Sequence, residues 1–228
     1  MISPAAATFN KDLAAAGFLC LGGFEPDANA GMPEMQGDER TKALLLIGST
    51  GPSLWPVFTR STEYSDDAPH ALDRYTKRVL TDLANTNGFR VLFPFEGPPY
   101  YPFQQWAIKC GGFSQSPMGV LAHRDYGPWS GFRAVFLSPD RQPHFIGPAT
   151  MQGPCETCQD KPCLSVCPAN ALSREAGYDV PSCRAHLEAT ENAECLSGCL
   201  ARRACPFGAE HQQEAATARF HMRSFLGF

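Results

Sequence analysis

Apolar residues in the first 150 positions recur at spacings that predict alternating helices and strands. The run at residues 43–47 is continuously apolar and ends at Gly-Ser-Thr-Gly, residues 48–51, which indicates a buried strand followed by a plain strand-to-helix turn. Between residues 70 and 85 the apolar side chains follow helical spacing, and Gly88 is placed to end that helix. The same criteria predict helices over 4–16 and 101–110, a loop over 25–41, and strands over 18–21, 90–93, 118–121 and 132–137, the last two paired around the turn 126–129.

Composition changes near residue 150, where aliphatic runs stop and cysteine becomes frequent. A chain of 228 residues is long enough for two small domains, and an apolar fraction of 43% allows a true hydrophobic core. The sequence therefore predicts an α+β protein with two domains: an α/β sandwich over residues 1–148 and a cysteine-rich module over residues 149–228.

Charge and hydropathy exclude some classes of partner. The net charge is −4, with acidic and basic residues mixed along the chain, whereas nucleic-acid binding calls for a clustered basic surface. The N-terminus lacks the basic start and apolar stretch of a secretory signal, and the longest aliphatic run is far short of the roughly 20 residues of a spanning helix. We expect a cytoplasmic protein that binds neither nucleic acid nor a membrane.

Eight of the ten cysteines lie between Cys155 and Cys205. They form the run Cys155-x-x-Cys158-x4-Cys163-x3-Cys167-Pro168, then Cys183, then Cys195-x3-Cys199-x5-Cys205-Pro206. This arrangement resembles the two-cluster ferredoxin pattern, in which the cysteine before proline ligates the other cluster. The resemblance implies two 4Fe–4S clusters: cluster A on Cys155, Cys158, Cys163 and Cys205, and cluster B on Cys183, Cys195, Cys199 and Cys167.

Two alternatives use the same cysteines. Two structural zinc sites would also take four cysteines each, and a disulfide framework would need an oxidising compartment. The paired Cys-Pro motifs favour iron–sulfur clusters over both. We expect Arg202 and Arg203 to balance the negative charge of the clusters and their thiolates. Cys20 and Cys110 lie in apolar surroundings and are predicted to be inert buried thiols.

The cysteine module resembles the C-terminal iron–sulfur module of epoxyqueuosine reductase, and more distantly that of reductive dehalogenases. Residues 90–94, the predicted helix ending at Cys110, and residues 119–136 with His123 and Trp129 resemble the cobalamin-binding part of that reductase. The same segments also resemble the mammalian cobalamin-processing chaperone. The resemblance implies a nitroreductase-like sandwich that binds cobalamin, followed by a ferredoxin-like module.

The resemblance also implies candidate site residues. The reductase family uses an acidic residue in the loop after the strand that matches residues 90–93, and Glu96 is the acid in that loop here. The relatives hold their cofactor between the two halves, which predicts a crevice bordered by residues 96–101, His123, Tyr126 and Trp129, facing cluster A. The alternative is structural: a histidine satisfied in a turn, with Tyr126 and Trp129 filling core.

The leading functional hypothesis is an electron-transfer protein that carries two 4Fe–4S clusters and exchanges electrons with a redox partner protein or a reductant. The alternative is a corrinoid-dependent reductase, similar to epoxyqueuosine reductase, or a cobalamin-processing protein. If the chain is an enzyme, it is expected to be an iron–sulfur oxidoreductase. The helical-repeat extension of the reductase and the export signal of the dehalogenases are not expected here.

Overall fold

The computed structural model describes residues 3–27, 32–33, 40–189 and 194–227. Its helices are α1 (Pro4–Ala15), α2 (Gly51–Phe58), α3 (Thr62–Ser65), α4 (Ala71–Thr86), α5 (Phe103–Cys110), α6 (Pro162–Ser165), α7 (Val180–Ala189), α8 (Leu200–Arg203) and α9 (Ala215–Leu226). Its strands are β1 (Leu19–Phe24), β2 (Ala43–Ser49), β3 (Arg90–Leu92), β4 (Phe113–Gln115), β5 (Leu121–His123), β6 (Gly131–Ser138), β7 (Leu172–Ser173) and β8 (Gly177–Tyr178). Short 3-10 helices cover Glu194–Ser197 and Ala209–His211. Within these ranges, no helix combines the length and the apolar character that crossing a bilayer requires.

The chain forms two compact units. The first comprises residues 1–49, 53–111 and 131–151, and the second comprises residues 50–52, 112–130 and 152–228. The main change of unit therefore follows Met151, and residues 112–130 belong to the cysteine-rich unit, although the sequence assigned them to the first domain. The functions assigned to the two domains stay predictions.

The first unit is built on an antiparallel sheet with the strand order β1-β2-β6-β3. Every residue of β2 is buried, and because successive side chains of a strand point to opposite faces, both faces of the sheet are covered at this strand. Leu45 of β2 pairs with Phe136 of β6, and Phe136 also pairs with Val91 of β3. The continuous apolar run at 43–47 is thus the sequence of a central strand.

Aromatic side chains fill the core of the first unit. Phe9 of α1 packs against Phe89 and Phe136 with ring centroids 5.6 and 6.1 Å apart, and Phe18 stacks on Tyr75 of α4. Helix α4 buries Leu72, Tyr75, Thr76, Leu80 and Ala84 on one side, as its helical spacing predicted. Each large side chain removed from water in this way contributes about 1.5–3 kcal/mol.

The second unit has small hydrophobic clusters. One consists of Met118, Cys163 and Ala201, and another of Leu187 and Cys195. Its strands are short and form two hairpins, β4–β5 and β7–β8. Clusters of this size contribute little burial, and domains of this kind are usually held together by disulfides or metal centres.

One predicted pairing is wrong. Residues 118–121 and 132–137 do not form a hairpin, because β5 pairs with β4 while β6 lies in the sheet between β2 and β3. The long apolar strand β6 is bordered on both edges by strands of the first unit, which leaves no edge for β5. The turn after residue 47 leads into α2, as expected from its sequence. Most of the loop predicted at 25–41 lies outside the described residues.

Candidate functional site: the cysteine pockets of the second unit

Four cysteines surround one pocket of the second unit. Cys155, Cys158, Cys163 and Cys205 line it together with Met118, Lys161 and Phe207, among other residues. The pocket contains about 320 Å³ of space outside the protein atoms, including its opening to solvent. These are the four residues assigned to cluster A, and Cys205 comes from the second cysteine run.

Short, tightly bonded loops place these four side chains. Cys163 lies in α6, which starts after Lys161 in the left-handed conformation. Lys161 Nζ donates a hydrogen bond of 2.7 Å to the carbonyl oxygen of Cys155, so it joins the two loops. The backbone N–H of Cys205 donates to the carbonyl oxygen of Arg202 at 3.1 Å, directly after α8. Burial raises the pKa of the Cys155 thiol to about 11, although Lys161 opposes the shift.

Ser114 fixes the first cysteine of the pocket. Its Oγ accepts a 3.0 Å hydrogen bond from the backbone N–H of Cys155 and donates a hydrogen bond to the carboxylate of Glu156. Ser114 is buried, and Gly153 lies so close to it that a Cβ atom there would overlap Ser114. The hydroxyl therefore ties strand β4 to the loop of Cys155.

The other four cysteines group separately. Cys183 lies on α7, Cys195 in the 3-10 helix Glu194–Ser197, Cys199 directly before α8 and Cys167 just after α6. Burial raises the pKa of Cys183 and of Cys195, and both thiols interact electrostatically with Cys199 and Cys167. The thiols of the first group interact instead with one another: Cys155 with Cys205, and Cys163 with Cys158 and Cys205.

In the described ranges, no group of three or more His, Cys, Asp or Glu side chains could hold a single metal ion. A 4Fe–4S cluster is held by four cysteine thiolates. The structure brings the eight cysteines together as two groups of four, and their role as ligands stays a prediction.

His123 is a buried residue of a turn. Its Nδ1 accepts hydrogen bonds from the backbone N–H groups of Asp125 (3.1 Å) and Tyr126 (3.4 Å), and its ring stacks on Tyr126 at 4.9 Å. Burial lowers the pKa of His123 to about 4, although Asp125 raises it in part. The ring is therefore neutral near pH 7, with its proton on Nε2.

Trp129 and Arg202 form a second contact in this unit. Trp129 is buried, and the guanidinium carbon of Arg202 lies 4.9 Å from the centre of its ring. Arg202 also donates a hydrogen bond to the carbonyl oxygen of Pro128 and interacts electrostatically with Cys199. Trp129 Nε1 and Arg202 Nε have no hydrogen-bond partner among the described residues. Arg202 thus lies within electrostatic range of a cysteine assigned to cluster B.

Glu96 belongs to the first unit, whereas His123, Tyr126 and Trp129 belong to the second. Its carboxylate forms an exposed ion pair with Lys77, with Oε1 2.7 Å from Nζ. The catalytic role of Glu96 and the crevice bordered by residues 96–101 stay predictions.

The two remaining cysteines, both in the first unit, are in apolar surroundings. Burial raises the pKa of Cys20 to about 12 and also raises the pKa of Cys110. Cys110 is buried, as the sequence predicted, whereas Cys20 is half-buried, and the inert role of both thiols stays a prediction.

Three polar residues beside the cysteines carry no sequence signal. Ser114 is 41 residues from Cys155, and only the fold brings the two together. Lys161 and Tyr178 lie within the cysteine-rich run, but neither occupies a position that the spacing of the cysteines marks. Tyr178 is hydrogen bonded to Cys183.

Comparisons with known proteins give limited matches. No family model matches the chain. Over 55 residues it is 44% identical to Putative electron transport protein YsaA of Escherichia coli (strain K12). The matched segment covers 24% of this chain and 29% of the length of that protein. The structure is similar to the crystal structure of CblC, a B12-trafficking protein of C. elegans and a homologue of human MMACHC. The TM-score is 0.56 at 15% sequence identity, over 97% of this chain and 91% of that chain.

At this level of identity the structural likeness shows the fold alone. The chain has a mixed α+β fold with small antiparallel sheets, as the sequence predicted in its coarse form. The finer assignment, a nitroreductase-like sandwich followed by a ferredoxin-like module, stays a prediction.

Proposed function

We propose that this chain is a cobalamin-handling redox protein, in which two 4Fe–4S clusters of the second unit supply electrons to a bound corrinoid. The observation that carries the proposal is the pocket lined by Cys155, Cys158, Cys163 and Cys205. These thiols come from two separate cysteine runs, and a shared pocket is what the ligand exchange of a two-cluster ferredoxin requires.

The donor chemistry fits the clusters. Cys155, Cys158, Cys163 and Cys205 would hold cluster A, and Cys167, Cys183, Cys195 and Cys199 would hold cluster B. When bound, such clusters accept and release single electrons. Lys161 and Arg202 supply positive charge beside thiolates, which would offset part of the negative charge of the clusters. The small hydrophobic clusters of this unit agree with a module stabilised by its metal centres.

The corrinoid half of the proposal has separate support. The structure is similar in fold to a protein named for B12 trafficking, and the sequence around residues 119–136 resembles cobalamin-binding relatives. His123, Tyr126 and Trp129, all in the second unit, are the residues we assign to the corrinoid. Glu96 of the first unit stays a separate candidate for a catalytic acid. A neutral His123 keeps Nε2 as a donor, since Nδ1 accepts from the backbone.

The experiment is an anaerobic titration with hydroxocobalamin. The protein is reduced, freed of excess reductant by gel filtration, and mixed with hydroxocobalamin while the visible spectrum is recorded. We expect binding at micromolar concentration and loss of the oxidised cobalamin spectrum as electrons leave the clusters. A Cys155→Ser, Cys205→Ser variant is the control, because it should bind cobalamin without reducing it at the rate of the wild type. Absence of binding by the wild type at micromolar concentration would contradict the proposal.

A second candidate function is an electron carrier that binds no corrinoid. The 55-residue similarity to a protein named for electron transport favours it. The same titration separates the two functions, since a carrier would be brown and redox active, would reduce an acceptor such as cytochrome c, and would leave hydroxocobalamin unbound.

A further inference from the structure

Tyr178 lies beside the second group of cysteines, and its hydroxyl is hydrogen bonded to Cys183. It also interacts electrostatically with Cys199 and Cys167, which belong to the same group. Tyr178 is half-buried, so water weakens its hydrogen bond to Cys183 less than it would at the surface.

The backbone fixes the position of Tyr178 relative to Cys183. Tyr178 ends strand β8 and pairs with Leu172 of β7. The next residue, Asp179, donates its backbone N–H to the carbonyl oxygen of Ala171 at 2.8 Å. Asp179 also begins the helix that carries Cys183, because its carboxylate accepts from the N–H and the hydroxyl of Ser182, and its carbonyl oxygen accepts from the Cys183 N–H at 3.2 Å.

Gly119 packs against one side of the Tyr178 ring. A Cβ atom on Gly119 would lie 3.0 Å from Cδ1 and 3.3 Å from Cβ of Tyr178, which is closer than nearly all such contacts in proteins. The ring therefore packs directly on the backbone of Gly119. The β7–β8 hairpin, the start of α7 and the backbone of Gly119 together fix the position of the Tyr178 hydroxyl.

The direction of the hydrogen bond follows from the chemistry of the two groups. A phenol is a good donor, and a thiolate sulfur is an acceptor. Tyr178 is thus a donor toward the thiolate form of Cys183.

We propose that Tyr178 sets the reduction potential of cluster B, by donating a hydrogen bond from its hydroxyl to Sγ of Cys183. The inference rests on the proposed function, since it needs the cluster. Hydrogen bonds to cluster sulfurs are among the factors that set the potential of an iron–sulfur centre. Because one-electron reduction adds negative charge to the cluster and its thiolates, a donor at Cys183 stabilises the reduced state and raises the potential.

The test compares full-length wild type with Tyr178→Phe, which keeps the ring packed on Gly119 and removes only the donor. Both clusters are titrated anaerobically against potential and followed by electron paramagnetic resonance. We expect one midpoint potential to shift in the negative direction and the other to stay unchanged, with iron and sulfide contents equal to those of the wild type. Tyr64→Phe is the matched control, because Tyr64 lies in the first unit, and it should shift neither potential.

The outcomes separate the inference from the proposed function. Full cluster content with both potentials unchanged in Tyr178→Phe overturns the role of Tyr178 and leaves the clusters in place. A wild type without iron and sulfide overturns both. If Tyr178→Phe fails to retain a cluster, 3-fluorotyrosine at position 178 decides, because its more acidic hydroxyl is a stronger donor of nearly the same size. The potential of cluster B should then rise, and a potential that does not rise overturns the inference.

Discussion

The backbone of Gly127 lies directly against the carbonyl oxygen of Phe207, so close that a Cβ atom on Gly127 would overlap that oxygen. The contact is reciprocal, since a Cβ atom on Gly208 would overlap the backbone of Tyr126. Two loops of the second unit therefore meet without side chains between them. One carries His123, Tyr126 and Trp129, and the other follows Cys205.

This contact predicts a strong effect of Gly127→Ala. Gly127 has a positive φ of 53°, and an alanine there costs about 1–2 kcal/mol for the backbone conformation. The overlap with Phe207 adds roughly 1–3 kcal/mol. Gly177→Ala is the control, because Gly177 has a φ of 74° with open space around its Cβ position. Anaerobic denaturant unfolding should show a clearly larger loss for Gly127→Ala, and equal losses would contradict the packing described here.

Ser114→Ala should loosen the loop of Cys155. The substitution leaves the backbone N–H of Cys155 and the carboxylate of Glu156 without this partner, which costs about 1–3 kcal/mol. We expect a lower free energy of unfolding and faster bleaching of the clusters by an iron chelator. Ser165→Ala, at an exposed serine of the same unit, is the control and should behave as the wild type. Equal bleaching rates in both variants would show that Ser114 does not hold this loop.

His123 predicts a pH dependence of stability. Its pKa is about 4 in the folded protein and about 6.5 when unfolded, so the unfolded chain binds more protons between these values. The contribution is fully present above pH 6.5 and is lost as the pH falls toward 4, amounting to about 2 kcal/mol between pH 7 and pH 5. His123→Gln should remove this part of the slope. His144→Gln, at an exposed histidine, should keep the slope of the wild type. The idea fails if His123→Gln retains that slope as well.

The elements that the sequence predicted well are those with a local pattern. The apolar run of β2 and the helical spacing of α4 need no information from distant residues, and both are found where expected. The pairing of β5 with β4 was missed because strand pairing depends on the tertiary fold and not on a local sequence pattern. Residues 118–121 and 132–137 are near in sequence, yet β6 forms its ladders with β2 and β3.

The candidate site also contains residues that the sequence predicted and residues that it did not. Cysteine spacing with the Cys-Pro motifs grouped Cys205 with Cys155, and the structure places both at one pocket. Ser114 could not be found, because a single serine 41 residues away has no pattern of its own. Tyr178 ends a two-residue strand, and its relation to Cys183 depends on the β7–β8 hairpin and the start of α7. Such contacts depend on tertiary structure that spacing alone does not contain.

The grouping of the cysteines predicts the result of Cys205→Ser. Although Cys205 belongs to the second run, its removal should destroy cluster A and leave cluster B with about four iron per chain. Cys20→Ser is the control, since Cys20 lies in the first unit, and it should keep the full iron content. Loss of the cluster B signal with survival of cluster A would show that the two sets of ligands are assigned incorrectly.

Chemical analysis of the anaerobically purified wild type tests the central claim most directly. Iron and acid-labile sulfide are determined together with zinc on the same sample. Two 4Fe–4S clusters predict about eight iron and about eight sulfide per chain, with zinc at background. Stoichiometric zinc without sulfide would contradict the account.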